Sequence, residues 1–207
     1  ALEVAGREQP DLVVLDIMMP GMDGVEVCGH LRRTPGLEQV LIAFLTARTE
    51  DYSHIAGYEA GADDYCRPKS ATEEIDLRLR AMFRRMEMAA PEDRRQGLPA
   101  VLRVGSIEID PASQTATKNG VLVALSPTEF RLLATLAEHP GEVIPSKALI
   151  ARVWGNQYAG ETHYLRLYVR YLRQKLEDDP SNPVYIVNRW GSGYSLDEPR
   201  RAAARAG

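Results

Sequence analysis

The sequence predicts two domains of different class: an α/β domain over residues 1–86 and an α+β domain over residues 101–198. Three observations predict it. Short, continuous apolar runs alternate with helical segments in the first half. Residues 87–100 (EMAAPEDRRQGLPA) hold no apolar periodicity and carry Pro91, Gly97 and Pro99 among charges, as a linker does. Past that break, strands come first, three helices follow and a hairpin closes the pattern, leaving 199–207 as a tail.

In the first half, residues 12–15 (LVVL) form an apolar run with no polar face, the pattern of a strand buried on both sides. Residues 25–33 read as a helix. Residues 40–45 (VLIAFL) are a second buried strand. Residues 51–60 read as a second helix with Gly61 as its C-terminal stop. Residues 64–66 make a third, short strand. Residues 72–86 make a third helix, with Ile75, Leu79, Met82 and Phe83 on one face. Alternating strands and helices imply parallel strands joined by right-handed crossovers. Ligand chemistry in such a sheet belongs at the carboxyl ends of the strands.

In the second half, residues 101–125 read as short antiparallel strands, and Asn119-Gly120 between TATK and VLVAL is a two-residue hairpin signal. Ser126-Pro127-Thr128-Glu129 is a capping box with proline at the first helical position. Its helix runs to about His139. Ser146 caps a second helix through Val153, and Glu161 or Thr162 starts a third that runs to about Glu177. Residues 184–196 alternate around Gly191 and Gly193 as a final hairpin. Strands, three helices and a hairpin make a winged helix-turn-helix.

Apolar residues make up 44% of the 207 positions and charged residues 26%, enough apolar material to exclude disorder throughout. No apolar run approaches the ~20 residues that span a bilayer, and no secretory signal opens the chain. Cys28 and Cys66 form no CxxC pair, which fits a reducing compartment and argues against a Cys-rich zinc site. The cytoplasm is the expected location, with no membrane partner. The net charge of −4 is uneven. Residues 1–86 hold 10 basic and 15 acidic side chains, residues 87–100 hold 2 and 3, and residues 101–207 hold 13 and 11. Residues 162–176 carry Arg166, Arg170, Arg173 and Lys175 and no acid. A basic helix is what a phosphate-binding surface needs; a solvated helix face is the alternative.

Asp16 follows the first strand at once, and Pro20 and Gly21 shape the loop after it. A carboxylate there is placed for ligand chemistry, the alternative being a cap or turn residue. Thr46 ends the next strand, where its hydroxyl reaches the same crevice. A phosphohydrolase normally shows a second acid just after its nucleophilic aspartate, as in DxD. Ile17 and Met18 stand there instead, which argues against an enzyme.

DIMMPGMDG, LTAR and GADDY resemble the receiver domain of bacterial two-component response regulators. LSPTEFRLL, VWG, LRLYVRYLRQKLE and GSGY resemble the winged-helix effector of the OmpR/PhoB subfamily. Within it, HYLRLYVRYLRQKLEDDP is most similar to regulators of potassium-uptake operons. The resemblance implies a flavodoxin-like receiver whose Asp16 accepts a phosphoryl group from a sensor histidine kinase. That chemistry needs a nucleophilic carboxylate and a cation to neutralise phosphate charge. Mg²⁺ is the implied cofactor, held by Asp16 and the carbonyl of Met18. Thr46 would hydrogen-bond the aspartyl phosphate. Tyr65 would be an aromatic switch that swings inward, a core aromatic being the alternative.

Two departures from that pattern stand out. The family's acidic pair follows a first strand that should precede Ala1, and Glu3, Glu8 and Asp11 do not supply it. The N-terminal strands are thus absent, through truncation of a longer chain or through degeneracy. Their loss would leave residues 12–15 as an exposed apolar edge. In the family, tyrosine, two residues and Lys-Pro follow one another. Here Tyr65-Cys66-Arg67-Pro68-Lys69 is one residue short, so Arg67 substitutes for the phosphate-pairing lysine or Lys69 reaches in.

The resemblance also implies a homodimer through His54, Asp63, Asp64, Glu74, Arg78 and Arg85, the alternative being a solvated charged face. On the helix over 162–177, Leu165, Val169, Leu172 and Leu176 make the buried stripe. The opposite face presents His163, Arg166, Leu167, Arg170, Tyr171 and Gln174. By position match to the family, Leu167 and Tyr171 look at base edges. His163, Tyr164, Tyr168, Arg170 and Arg173 look at phosphates. Arg189 and Trp190 sit at the wing tip, where the family's arginine enters the minor groove. Trp154 reads as core. Residues 156–160 form the loop that in the family can touch RNA polymerase. The function expected is a transcription factor switched by phosphorylation of Asp16 that binds promoter DNA as a dimer on tandem direct repeats. The rival is a phosphorylation-independent regulator whose degenerate receiver only dimerises.

Overall fold

The computed structural model describes residues 1–45, 60–66, 72–89, 101–158 and 160–199. These form two compact units. The first holds α1 (Leu2–Glu8), β1 (Leu12–Leu15), α2 (Gly24–Leu31), β2 (Leu41–Leu45), β3 (Asp64–Cys66) and α3 (Thr72–Ala89). Its strands run in the order β1-β2-β3 and are parallel, with Leu12 opposite Leu41 and Ala43 opposite Asp64. This is the α/β layout that the alternating pattern predicts. The helix expected over 51–60 lies outside the described residues except for Ala60.

The centre of this sheet is β2, and it is buried along almost its whole length. Among the described residues β1 has a neighbour on one side only. Val14 is accordingly 44% exposed, where the apolar run read as a strand buried on both faces. Leu41, Ala43 and Met82 form a core cluster against which Leu12 and Leu79 pack. Phe83, expected on the same buried face of α3, is exposed, because the stripe that meets β2 runs through Leu79 and Met82. The helix α3 continues past the expected end at Met86 to Ala89. Glu87, Met88 and Ala89 are good helix formers, and Pro91 disfavours helix at the residue before it.

The second unit opens with β4 (Leu102–Val104), β5 (Ile107–Asp110), β6 (Thr115–Lys118) and β7 (Val121–Val123), an antiparallel sheet in sequence order. Asn119 and Gly120 both take positive φ (52° and 77°), as a two-residue hairpin turn requires. Then come α4 (Pro127–Ala137), β8 (Ile144–Pro145), α5 (Ser146–Val153), a 3₁₀ turn (Asn156–Tyr158), α6 (Thr162–Leu176), β9 (Ile186–Arg189) and β10 (Gly193–Leu196). Ser146 is the first residue of α5 rather than its cap; Pro145 holds the cap position and no side chain caps the helix. The hairpin β9-β10 is widened by β8, so the order is β8-β10-β9. That third strand is two residues long and leaves no periodicity to read.

Candidate functional site

The loop after β1 is set by backbone hydrogen bonds. Ile17 O accepts from the N–H of Met19 at 3.2 Å and of Gly24 at 3.0 Å. A Cβ on Gly24 would stand 2.2 Å from the carbonyl oxygen of Asp16, so only glycine lets α2 start here. Asp23 caps α2 by accepting from Glu26 N at 2.8 Å, a role the sequence reading missed. Asp16 is exposed, and its Oδ1 accepts the N–H of Met18 at 3.1 Å. The carboxylate is thus held at the mouth of the sheet with its second oxygen available.

Mg²⁺ does not fit the described residues as a complete site. Asp23 spends one carboxylate oxygen on the helix cap. No group of three or more His, Cys, Asp or Glu side chains among the described residues could hold a metal ion. Thr46, His54, Arg67 and Lys69 lie outside the described residues. Tyr65 is turned inward, 2% exposed, with its ring 5.0 Å from that of Phe44.

The acids expected at a dimer surface are engaged within the receiver. Asp63 Oδ2 accepts from Arg32 Nη2 at 2.7 Å and from the N–H of Ile42 at 3.0 Å. Arg32 also donates to the carbonyls of Gly61, Glu38 and Val40, tying the end of α2 to the segments that lead into β2 and β3. Asp64 Oδ1 accepts the N–H of Tyr65 at 2.7 Å and lies 3.7 Å from Arg78. Both carboxylates are buried. Each of the two acids thus faces a cation of the same unit, Arg32 for Asp63 and Arg78 for Asp64. Glu74 and Arg85 lie on α3, with side chains outside the described set.

In the second unit α6 carries two buried stripes. Leu165, Val169, Leu172 and Leu176 are buried as expected. Tyr164, Tyr168 and Tyr171 are buried too, which corrects their assignment to phosphates and bases. The ring of Tyr168 lies 5.1 Å from Trp154 and 6.3 Å from Tyr171; that of Tyr164 lies 6.1 Å from Tyr158 and 6.5 Å from Trp154. Edge-on ring pairs of this kind favour burial over solvent. The open face is His163, Arg166, Arg170 and Gln174, with Leu167 half-buried.

Arg173 is also reassigned. Its Nε and Nη2 donate to the carbonyl of Ile186 at 3.0 and 2.7 Å, so it braces α6 against β9. Glu177, buried, accepts the N–H groups of Val184, Tyr185 and Ile186. At the wing tip Arg189 Nη2 donates to Asp197 Oδ2 at 2.6 Å, and Trp190 is 93% exposed. Neither Glu177 nor Asp197 is singled out by sequence pattern, since an acid after a helix reads as a solvated residue.

A parallel sheet with an acid at a strand end, followed by a braced helix and wing, has clear relatives. The family described as "Response regulator receiver domain" matches residues 1–80, and "Transcriptional regulatory protein, C terminal" matches residues 120–196. The chain is 40% identical over 199 residues to the transcriptional regulatory protein AfsQ1 of Streptomyces coelicolor, covering 96% of this chain and 84% of the relative. It belongs to the two-component response regulators of the OmpR/PhoB type. The transcriptional regulatory protein KdpE of Mycobacterium tuberculosis is 39% identical over 197 residues, covering 95% of this chain and 84% of that one. Among solved structures, a RitR mutant is similar with a TM-score of 0.77 at 25% identity, over 95% of this chain and 83% of that one. As a response regulator the chain joins a receiver to a DNA-binding transcriptional regulatory domain. No described helix is long and apolar enough to cross a membrane.

Proposed function

We propose that this response regulator is switched by phosphorylation of Asp16 and then pairs on tandem direct repeats of promoter DNA in the cytoplasm. A carboxylate oxygen of Asp16 attacks the phosphorus of a histidine-kinase phosphoimidazole. The O–P bond forms, the N–P bond breaks, and the electron pair stays on the imidazole nitrogen, which takes a proton from water. The observation that carries this reading is the exposed Asp16 carboxylate at the end of β1, oriented by the Met18 N–H. The protein's part is positioning. The inward Tyr65 supports the switch role. The exposed Leu77 and Phe83 on α3 support pairing of two receivers through that helix. Exposed Asn156 and Gln157 support a polymerase contact at the turn before α6. No separate enzyme activity is part of this reading.

The test is incubation with acetyl phosphate and Mg²⁺, followed by intact mass and DNA titration beside Asp16→Asn. The expected result is one phosphoryl adduct and tighter DNA binding for the parent alone. Equal tightening in Asp16→Asn overturns the switch. No adduct on either protein favours the rival reading, a receiver that only dimerises.

A further inference from the structure

Helix α6 begins without a side-chain cap. Glu161 holds its N-cap position, yet its carboxylate makes no bond to the helix N–H groups. The backbone of Glu161 is fixed instead: its N–H donates to the carbonyl of Tyr158 at 2.8 Å, and its carbonyl accepts the N–H of Tyr164 at 3.0 Å. The side chain turns to His163, whose Nδ1 lies 3.3 Å from Glu161 Oε2. The imidazole also leans on Tyr164, with ring centres 4.6 Å apart. Tyr164 is buried and edge-on to Tyr158 and Trp154, so the imidazole rests on a fixed aromatic base. His163 itself opens to solvent, with 65% of its side chain exposed, on the face that also presents Arg166 and Arg170. The segment 155–160 (GNQYAG) before the pair carries no charge. On α5, which packs against α6, Arg152 lies 3.5 Å from Glu138 and Lys147 is exposed. On α6 itself the next charges are Arg166 and Arg170.

The ring nitrogen that faces a carboxylate carries the proton, so neutral His163 keeps its hydrogen on Nδ1 and presents Nε2 as an acceptor. Phosphate oxygens are acceptors as well, and two acceptors do not bond. Glu161 adds a negative charge beside them. A proton taken from solvent changes both conditions: Nε2 becomes a donor, and the pair loses its net negative charge. We infer that DNA binding takes up a proton at His163, with Glu161 as the positioning residue: the imidazolium bridges the Glu161 carboxylate and a backbone phosphate. The inference deepens the DNA-binding reading and rests on it. A phosphate favours the charged imidazole, so the complex holds more proton than the free chain. Affinity therefore rises as pH falls. Histidine changes charge near neutrality, which puts the effect between about pH 6 and pH 8. Arg166 and Arg170 stay charged throughout and supply attraction that does not vary with pH.

The test uses the full chain and a duplex that the parent itself selects from a random-sequence pool, titrated at fixed ionic strength across that pH range. The parent binds roughly 3- to 10-fold more tightly at the acid end, the effect of one nearby phosphate on one titrating group. Calorimetric titration at neutral pH in two buffers of different ionisation heat reads uptake of a fraction of one proton. The salt slope is steeper at the acid end, because one more cation meets the backbone. His163→Gln loses the proton uptake and the pH dependence that goes with it. His163→Lys carries a fixed cation and binds at the alkaline end as the parent does at the acid end. Glu161→Gln tightens binding at the alkaline end and moves the dependence to lower pH; a merely structural Glu161 would leave the pH profile in place. If the parent binds equally well across the range, or His163→Gln still takes up the proton, the inference is wrong. In the second case the proton belongs to His30, His54 or His139. If the parent selects no duplex at any of these pH values, the DNA-binding reading fails first, and the proton linkage falls with it.

Discussion

The carboxylate of Glu177 receives the backbone N–H of Ile186 at 2.8 Å, across the gap between the end of α6 and the first residue of β9. Tyr185 and Val184 donate to the same carboxylate. Three consecutive N–H groups thus converge on one buried side chain, which positions the wing relative to the helix. Charge-assisted hydrogen bonds of this kind are about twice as strong as neutral ones. Glu177→Gln keeps the volume but replaces one acceptor oxygen by a donor that faces N–H groups. The expected loss is about 1–3 kcal/mol of effector stability, seen as a lower urea midpoint. A variant that unfolds at the parent's midpoint would show that these bonds add nothing.

Gly24 stands where any side chain meets the main chain of the phosphoacceptor. A Cβ there lies 2.2 Å from Asp16 O and 3.0 Å from Ile17 Cα, and neither atom belongs to a flexible side chain. Gly24→Ala therefore displaces the loop that orients Asp16. We expect about 1–3 kcal/mol of destabilisation, the usual range for overpacking. Labelling by acetyl phosphate should also fall, beyond what the unfolded fraction explains. Intact mass at matched folded concentration checks this.

Legibility from sequence followed the kind of signal. Residues 12–15 and 41–45 are apolar without interruption, so two strands were readable, though only the second is buried along its length, and Asn119-Gly120 marked its turn through the backbone conformation it tolerates. The stripe Leu165, Val169, Leu172 and Leu176 was readable because aliphatic residues at helical spacing have one favourable place. The tyrosines were not. A tyrosine serves a core or a surface equally well, and only the position of Trp154, eleven to fourteen residues away from Leu165 and Tyr168, decides between them. The same limit hid Arg173 and Asp63, whose partners Ile186 and Arg32 are distant in sequence.

Arg32 and Asp63 form a pair that is nearly closed to water, with side-chain exposures of 12% and 1%. Removing one member leaves the other buried and uncompensated. Arg32→Ala should cost about 3–5 kcal/mol of receiver stability. Replacing both, Arg32→Met with Asp63→Asn, should recover part of that loss, because the buried charge goes with its partner. A double-mutant cycle by urea denaturation measures the coupling; a double variant less stable than the sum of its singles would contradict it.

Cys28, on α2, is buried and donates to the carbonyl of Ala60 at 3.3 Å. Burial pushes its thiol from 9.0 up to about 12. Between those values the folded chain keeps a proton that the unfolded chain releases, so stability falls as pH rises through that window. Below pH 9 the group contributes no pH dependence. The thiolate is the nucleophile, so iodoacetamide at pH 8 should leave Cys28 unmodified in the native chain and alkylate it in urea. Peptide mass mapping in a Cys66→Ser background reads the result. Rapid native labelling would place the thiol at the surface.

Arg170 and Tyr168 are two residues apart on α6 and should separate binding from folding. Arg170 is on the open face, whereas Tyr168 is 1% exposed with its ring against Trp154. Arg170→Ala should weaken binding to every duplex alike and lower the salt slope by about one phosphate's worth. Tyr168→Ala should instead cost about 3–5 kcal/mol of effector stability through the cavity it leaves. Once allowance is made for the unfolded fraction, its salt slope should match the parent's. Salt titrations of both variants on one specific and one unrelated duplex decide the matter. A reduced salt slope in Tyr168→Ala would put that tyrosine back on the phosphates.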